Sequence, residues 1–288
     1  METKELLKKV KKIQIKTRKN SQNIFSGEYR SSFKGQGMTF SEVRAYQIGD
    51  EIRTIDWNVT ARLGSPYIKV FEEERESTLF LLIDVSASVF FGSHFTNKKD
   101  RITELVAVLG FSALHNKDKV GAVFFSNHVE KWIPAKKGTA HILRILRDLI
   151  DWQPQPKSTH LEGALRAITQ QLKKKSLVIL LSDFLDENYE RRLKIAAQKH
   201  DLLAIQVQDE QEENLPNIGF THLLNPETRS LMWINTGQKK WREYFKKNIL
   251  AQREKTKHIL KKSGVPLTII RTDQDYVKPL LYLFKNHG

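Results

Sequence analysis

Short apolar runs separated by amphipathic stretches dominate the chain from residue 78 onward. LFLLI at 79–83 and SLVILLS at 176–182 have the length and continuity of strands buried on both faces of a parallel sheet. Further β-prone runs occur at 120–126, 202–208 and 265–272. Helical spacing of apolar residues marks the stretches 102–114, 141–150, 161–172, 190–200, 238–262 and 274–286. This alternation predicts an α/β fold with a doubly wound, mainly parallel sheet.

Two stretches of this part of the chain depart from the alternation. HVEKWIPA at 128–135 predicts an edge strand that is stopped by Pro134. Residues 220–236 predict a β-hairpin that turns around 225–227, as an insertion near 212–236.

The first 77 residues have a different character. Leucine, valine and isoleucine recur at near-helical spacing over residues 4–19, which predicts a basic amphipathic helix. Residues 27–77 contain glycines, turn signals and short β-prone runs, which predict a small irregular β module. We therefore expect an N-terminal basic helix plus β-rich extension at 1–77, and the main α/β domain at 78–288.

The positive charge of the chain is concentrated in two segments. The 288 residues carry a formal net charge of +15, of which residues 1–20 hold +6 and residues 239–262 hold +8. Two solvated helix faces explain this pattern, and so does a patch for an acidic protein partner; anionic lipid or nucleic acid is a further alternative. Nucleic acid is disfavoured, because Trp241, Tyr244 and Phe245 at i, i+3 and i+4 are more typical of a core-facing stripe than of a stacking surface.

The cysteine content and the hydropathy of the chain indicate where in the cell the protein acts. The chain has no cysteine, which excludes disulfides and thiolate metal sites and suits a cytoplasmic protein. No apolar run approaches the roughly 18 residues that a membrane span needs, so we expect membrane contact to be peripheral at most.

Oxygen-bearing side chains follow the predicted strands. Asp84, Ser86 and Ser88 alternate directly after LFLLI, Thr159 precedes the helix at 161–172, and Asp183 follows SLVILLS. Ligands bind at the carboxyl ends of the strands in open α/β sheets. Carboxylate and hydroxyl oxygens suit Mg²⁺ or Mn²⁺ rather than zinc. If the two strands are neighbours, Asp84 and Asp183 face each other, and a divalent cation would relieve their repulsion.

The sequence supports a catalytic function less well than a metal-binding one. A phosphoryl-transfer nucleophile at Asp84 calls for a second aspartate where Ser86 stands, and the sequence contains no GxxxxGK[ST] phosphate loop. The serines lack the glycines of a nucleophile elbow. A metal-assisted phosphoester hydrolase remains an alternative, although no general base is evident.

The stretch QIGDEIRTIDWN at 47–58 has two interpretations. It is either a salt-bridged turn that buries Trp57 against the main domain, or a docking surface for a partner.

The set Asp84-x-Ser86-x-Ser88, Thr159 and Asp183 resembles the metal-ion-dependent adhesion site of von Willebrand factor A-like domains. The stretch from FKGQGMTF through YQIGDEIRTIDWN to LFLLIDVSAS, with KDKVGAVFFS, LVILLSDFLD and TDQDYVKPLLYLF, resembles the bacterial family called domain of unknown function 58. This resemblance implies a von Willebrand A-like, Rossmann-type fold and a MoxR-type AAA+ ATPase as partner.

The resemblance also implies roles for the five residues. Ser86 and Ser88 would coordinate the cation through their hydroxyls, and Thr159 would do so depending on the conformational state. Asp84 and Asp183 would act largely through water. A partner's Asp or Glu would fill the remaining position. We therefore expect a metal-dependent protein–protein interaction module that is not an enzyme and that takes no small-molecule substrate.

Overall fold

The computed structural model describes residues 38–73, 77–90, 97–153, 158–224 and 231–285. The chain divides into two compact units, with the boundary between Ser77 and Thr78. The helix predicted at 4–19, and with it the basic segment 1–20, lies outside the described residues.

The larger unit is built on a six-stranded sheet. Its strands are β3 (Thr78–Asp84), β4 (Lys119–Phe125), β5 (Val129–Lys136), β6 (Leu177–Ser182), β7 (Asp201–Gln208) and β10 (Leu267–Arg271). Their order is β10-β7-β6-β3-β4-β5, and all neighbouring pairs are parallel except β4 with β5. The predicted doubly wound, mainly parallel sheet is confirmed. The chain winds outward in opposite directions from β3, so the switch point of the sheet lies between β3 and β6.

Helices pack against this sheet. They are α2 (Lys98–His115), α3 (Thr139–Ile150), α4 (Leu161–Gln171), α5 (Glu190–Lys199), α6 (Lys239–Lys262) and α7 (Val277–Lys285). Residues of α4, α5 and α6 share one hydrophobic cluster with Phe80 and Leu82 of β3. Because β3 is buried along its whole length after Thr78, its sequence carries an unbroken apolar run rather than an alternating one.

Strand β5 continues past the residue that was predicted to end it. Pro134 lies within β5, which runs on to Lys136. The strand is at the edge of the sheet, and its register with β4 shifts between Val120 and Ala122, opposite this part of β5. A proline is tolerated at an edge or bulge because no ladder hydrogen bond needs its missing N–H.

Among its described residues, the smaller unit contains a two-stranded antiparallel sheet, a short α-helix and a 3₁₀ turn. Strand β1 (Met38–Ala45) pairs with β2 (Tyr67–Glu73), and α1 (Trp57–Leu63) lies between them in sequence. Asp50 forms a bidentate ion pair with Arg44, with oxygen–nitrogen distances of 2.7 and 2.9 Å. A salt-bridged turn is therefore present at this stretch. Trp57 is 67% exposed, so the smaller unit does not itself bury this residue, and its burial against the main domain stays a prediction.

A hairpin and the long basic helix follow the sheet strand β7. Strands β8 (Phe220–Leu224) and β9 (Leu231–Asn235) pair antiparallel, in agreement with the predicted hairpin, whose turn at 225–227 lies outside the described residues. The prediction that α6 turns Trp241 and Tyr244 toward the core is wrong, since they are 43% and 60% exposed.

The length of α6 explains this difference. A helix of 24 residues is about 36 Å long, whereas the five residues of β10 extend only about 17 Å. Only the C-terminal half of α6 is anchored in the core, at Thr256 and Leu260. Within the described ranges, none of the helices combines the length and apolarity needed to cross a membrane.

Candidate metal centre

Asp84 lies at the carboxyl end of β3, beside the switch point of the sheet. The residue is 1% exposed. Its Oδ1 accepts a hydrogen bond of 2.9 Å from the backbone N–H of Ser86, and its Oδ2 accepts one of 2.6 Å from the hydroxyl of Ser182. A buried carboxylate needs such partners, and these two fix the orientation of the Asp84 side chain.

The two serines after Asp84 turn their hydroxyls toward each other. Ser86 and Ser88 are buried, and their Oγ atoms are 3.0 Å apart within hydrogen-bond distance. Two adjacent ligands of an octahedral ion with bonds of about 2.1 Å are separated by about 3.0 Å. The spacing of these two oxygens therefore matches neighbouring positions on the shell of Mg²⁺.

Strand β6 brings Ser182 and Asp183 to the same edge of the sheet. The hydroxyl of Ser182 donates to Asp84 and accepts a hydrogen bond of 3.0 Å from the backbone N–H of Phe184. Phe184 has a φ of 58°, in the left-handed region, so the chain turns sharply directly after Asp183. The Asp183 backbone carbonyl accepts a hydrogen bond of 3.0 Å from the side chain of Gln206 on β7. Sequence reasoning missed Ser182, although its place at the end of a strand next to β3 was a usable signal.

Thr159 lies in the loop before α4 and is buried. The next residue, His160, donates a backbone hydrogen bond of 2.8 Å to the carbonyl of Ser126, directly after β4. This bond holds the Thr159 loop at the carboxyl edge of the sheet, the edge that carries Asp84 and Asp183.

Thr159 is not the N-cap residue of the helix that follows it. His160 is the N-cap residue of α4, and its side chain makes no capping bond. The carboxylate of Asp186 instead accepts a hydrogen bond of 2.7 Å from the backbone N–H of Leu161. Asp186 therefore satisfies one of the N–H groups in the first turn of α4. Burial raises the pKa of the Asp186 carboxyl above its usual range.

A buried lysine, which sequence reasoning also missed, contacts the site. Lys98, the first residue of α2, is 1% exposed. Its Nζ donates a hydrogen bond of 2.8 Å to Asp183 Oδ2 and also contacts the carboxylate of Glu212. Burial alone would lower the pKa of the Lys98 ammonium, but its two carboxylate partners outweigh burial and raise that pKa. Lys98 therefore remains a cation at the sheet edge.

The electrostatics of the two aspartates differ. Burial, together with the neighbouring charge of Asp183, raises the pKa of the Asp84 carboxyl to about 7, against the opposing effect of its bonds from Ser182 and Ser86. Asp183 has its counterion in Lys98, whereas the described contacts of Asp84 come from neutral donors. A cation bound next to Asp84 would supply the missing positive charge.

These residues fit a hard divalent ion. The structure brings all five predicted residues to the carboxyl edge of the sheet in buried positions, and every donor is an oxygen. Across the described ranges, no group of three or more His, Asp or Glu side chains gathers as a metal cluster. The donor set at this edge is therefore two carboxylates supplemented by hydroxyls, and two of those hydroxyls already have the spacing of adjacent ligands.

Relatives of this chain come mainly from bacteria. An uncharacterized protein of Mycobacterium tuberculosis (strain ATCC 25618 / H37Rv) is 26% identical over 272 residues, which cover 93% of this chain and 86% of the relative. Uncharacterized protein YeaD of Bacillus subtilis is 36% identical over 112 residues, which cover 38% of this chain and 25% of YeaD.

Two solved structures are also similar. The conserved hypothetical protein BatB of Bacteroides thetaiotaomicron has a TM-score of 0.48 and 14% identity, with coverage of 73% of this chain and 98% of BatB. The SpRpn10 VWA domain has a TM-score of 0.40 and 9% identity, with coverage of 72% and 94%.

A family model matches most of the chain, over residues 42–255, and its description reads "Protein of unknown function DUF58". The match includes the strands that carry Asp84 and Asp183, together with the Thr159 loop. The resemblance expected from the sequence is confirmed, and the chain belongs to the DUF58 family.

Proposed function

We propose that this protein is a metal-dependent protein–protein interaction module. A divalent cation, Mg²⁺ or Mn²⁺, is held at the carboxyl edge of the sheet by Asp84, Ser86, Ser88, Thr159 and Asp183. A carboxylate from a partner protein completes the coordination shell of this ion. The binding face is therefore the edge of the sheet at its switch point, where ligands of α/β folds usually bind.

The observation that carries this proposal is the buried pair of serine hydroxyls beside Asp84. The Oγ atoms of Ser86 and Ser88 are 3.0 Å apart, which is the spacing of adjacent ligands on an octahedral ion. Neutral hydroxyls neutralise less of the charge of an ion than carboxylates do. An ion held by them keeps a strong attraction for an additional anionic ligand, which a partner's Asp or Glu supplies.

The protein's own residues contribute to ion binding in different ways. Ser86, Ser88 and Thr159 supply neutral oxygens, and Asp84 supplies the charge. Ser182 orients Asp84 through its bond of 2.6 Å. Second-shell bonds of this kind hold a metal ligand in its productive geometry.

The partner that we propose is a MoxR-type AAA+ ATPase, as the family resemblance implies. Exposed lysines and arginines on α6 offer a second, electrostatic contact for an acidic partner surface. We further propose that the protein acts in the cytoplasm and that it binds rather than catalyses.

The arrangement at Asp84 favours binding over hydrolysis. Both of its oxygens accept hydrogen bonds, and Asp183 is paired with Lys98. Neither carboxylate is placed as a general base for an attacking water. A divalent ion at this site and the ammonium of Lys98 would also suit a phosphoester hydrolase. Turnover of p-nitrophenyl phosphate that is lost in Asp183→Asn would therefore contradict the binding role.

A pull-down with a purified MoxR-type ATPase tests the proposal. We expect the complex to form in Mg²⁺, to be lost in EDTA and to be lost in Ser86→Ala. Ser176→Ala is the matched control, because Ser176 is equally buried but precedes β6 at the opposite edge of the sheet. Binding that is unaffected by EDTA, or lost equally in Ser176→Ala, would argue against a metal-mediated contact.

A further inference from the structure

We propose that Lys98 is an internal cation that competes with the metal for Asp183 and thereby sets the affinity of the metal centre. Glu212 serves as the second anchor that keeps Lys98 paired when Asp183 turns to the ion. This inference rests on the proposed function, because it concerns the same site.

The first observation is an ion triad in which Lys98 and Asp183 are buried and Glu212 is partly exposed. Lys98 Nζ is 2.8 Å from Asp183 Oδ2 and also contacts Glu212, and the side chains of Lys98 and Asp183 are 1% and 3% exposed. Buried lysines are rare unless they are paired. Here the ammonium of Lys98 is paired with Asp183, whereas the described contacts of Asp84 come from neutral donors.

The second observation is that Glu212 is held in place by other parts of the chain. Its Oε2 accepts a hydrogen bond of 3.2 Å from the backbone N–H of Asp209, in a capping box at the start of a 3₁₀ turn. Arg253 on α6 lies 3.7 Å from the same oxygen and forms an ion pair of 2.8 Å with Glu213. Glu212 therefore has a fixed position, and it fixes the position of Lys98.

The third observation is the charge of the assembled groups. Asp84, Asp183, Glu212 and Lys98 together carry a formal charge of −2 when all are ionised, which one divalent cation neutralises. If Lys98 were absent, the three carboxylates would attract a cation more strongly. If Glu212 were absent, the ammonium would depend on Asp183 alone.

From these three observations we infer two states of the pair formed by Lys98 and Asp183, one without the ion and one with it. Without the ion, Lys98 offsets the charge of Asp183 and so reduces the repulsion between the two buried carboxylates. With the ion, Asp183 is shared between two cations, and the ammonium keeps Glu212 as its counterion rather than being left buried and unpaired. Lys98 acts through Asp183, so we class it as a positioning residue.

Two variants with opposite expected effects test this inference. In Lys98→Met the competing charge is removed, and we expect Mn²⁺ to bind about tenfold more tightly by calorimetry. In Glu212→Gln the ammonium retains Asp183 more firmly, and we expect Mn²⁺ to bind about tenfold more weakly. A purely structural role predicts weaker binding in both variants. Thermal unfolding in EDTA and in Mn²⁺ provides a second readout, since Lys98→Met should be less stable in EDTA and gain more from the ion than the wild type.

The control removes the same charge from the next residue. Lys99 donates hydrogen bonds of 2.8 and 2.7 Å to the carbonyls of Ile150 and Trp152, so Lys99→Met should change the Mn²⁺ affinity less than Lys98→Met. Equal tightening in both lysine variants, or no opposite shifts between Lys98→Met and Glu212→Gln, would overturn the inference. Should Lys98→Met fail to fold, Lys98→Gln replaces it as the uncharged variant, and it should show the same tightening of Mn²⁺ relative to Lys99→Met. Failure of the wild type to bind Mn²⁺ would instead overturn the proposed function, and this inference with it.

Discussion

Ser182 donates a hydrogen bond of 2.6 Å to Asp84, from the end of β6 to the end of β3. The two residues are 98 positions apart in the sequence, and the parallel pairing of β3 with β6 brings them together. The same hydroxyl accepts the backbone N–H of Phe184, so it ties the turn after β6 to the carboxylate on β3. Ser182 is therefore the direct link between the two loops that carry the aspartates of the metal centre.

Replacing Ser182 with alanine should weaken metal binding without abolishing it. The substitution removes the donor to Asp84 Oδ2 and leaves that buried oxygen without this partner, which costs about 1–3 kcal/mol of stability. We expect the Kd for Mn²⁺ to rise about tenfold, as is common for second-shell positions. Calorimetric titration measures this change, with Ser176→Ala from the other end of β6 as the control. An unchanged Kd in Ser182→Ala would show that Ser182 does not orient Asp84.

Removing the carboxylate of Asp186 should loosen the start of α4. Asp186 Oδ2 accepts the backbone N–H of Leu161 at 2.7 Å, and loss of such a first-turn partner costs about 1 kcal/mol. We therefore expect Asp186→Ala to lower the free energy of unfolding in urea by about this amount. Glu187→Ala is a suitable control, since Glu187 is exposed and pairs with Lys255 at the surface. Equal stability of the wild type and Asp186→Ala would mean that the bond to Leu161 contributes nothing.

His200 should make the protein less stable in mild acid. It is buried, and neither ring nitrogen has a hydrogen-bond partner within the described ranges. Burial lowers the pKa of the His200 imidazole below its usual 6.5. The unfolded chain therefore takes up the proton more readily than the folded chain, and stability falls as the pH decreases below about 6.5, by at most about 1.4 kcal/mol per pH unit.

Urea unfolding at pH 5.5 and 7.5 measures this effect. In His200→Leu this part of the pH dependence should disappear, whereas His222→Leu on the exposed hairpin strand β8 should keep it. The same pH dependence in the wild type and His200→Leu would contradict the assignment to His200.

The strands, and the placement of the candidate metal-centre residues at one edge of the sheet, were accessible from the sequence because their signals are local. β3 and β6 are short, mainly apolar runs; β3 ends at Asp84, and Asp183 directly follows β6. The position of each aspartate at the sheet edge follows from its strand alone. Parallel strands place their carboxyl ends at one edge, so Asp84 and Asp183 could be assigned to the same side of the sheet.

Lys98 and Glu212 could not be found in this way. Lys98 stands in the charged stretch NKKDR, which has the composition of a surface segment, and the predicted helix began four residues later. Its partners are 85 and 114 residues away, so no local pattern indicates the pairing. The prediction that Trp241 faces the core was wrong for a related reason. The spacing of apolar residues shows which face of a helix is apolar, but not how far along the helix the core extends.

The central claim is that Asp84 and its neighbours hold a divalent cation. Calorimetric titration of Mn²⁺ into the wild type and into Asp84→Asn tests it most directly, because asparagine keeps the size and the hydrogen-bonding oxygen of the side chain but removes its charge. We predict that the wild type binds one Mn²⁺, that Asp84→Asn shows no binding heat, and that Ser176→Ala titrates like the wild type. Indistinguishable isotherms for the wild type and Asp84→Asn would contradict the metal centre.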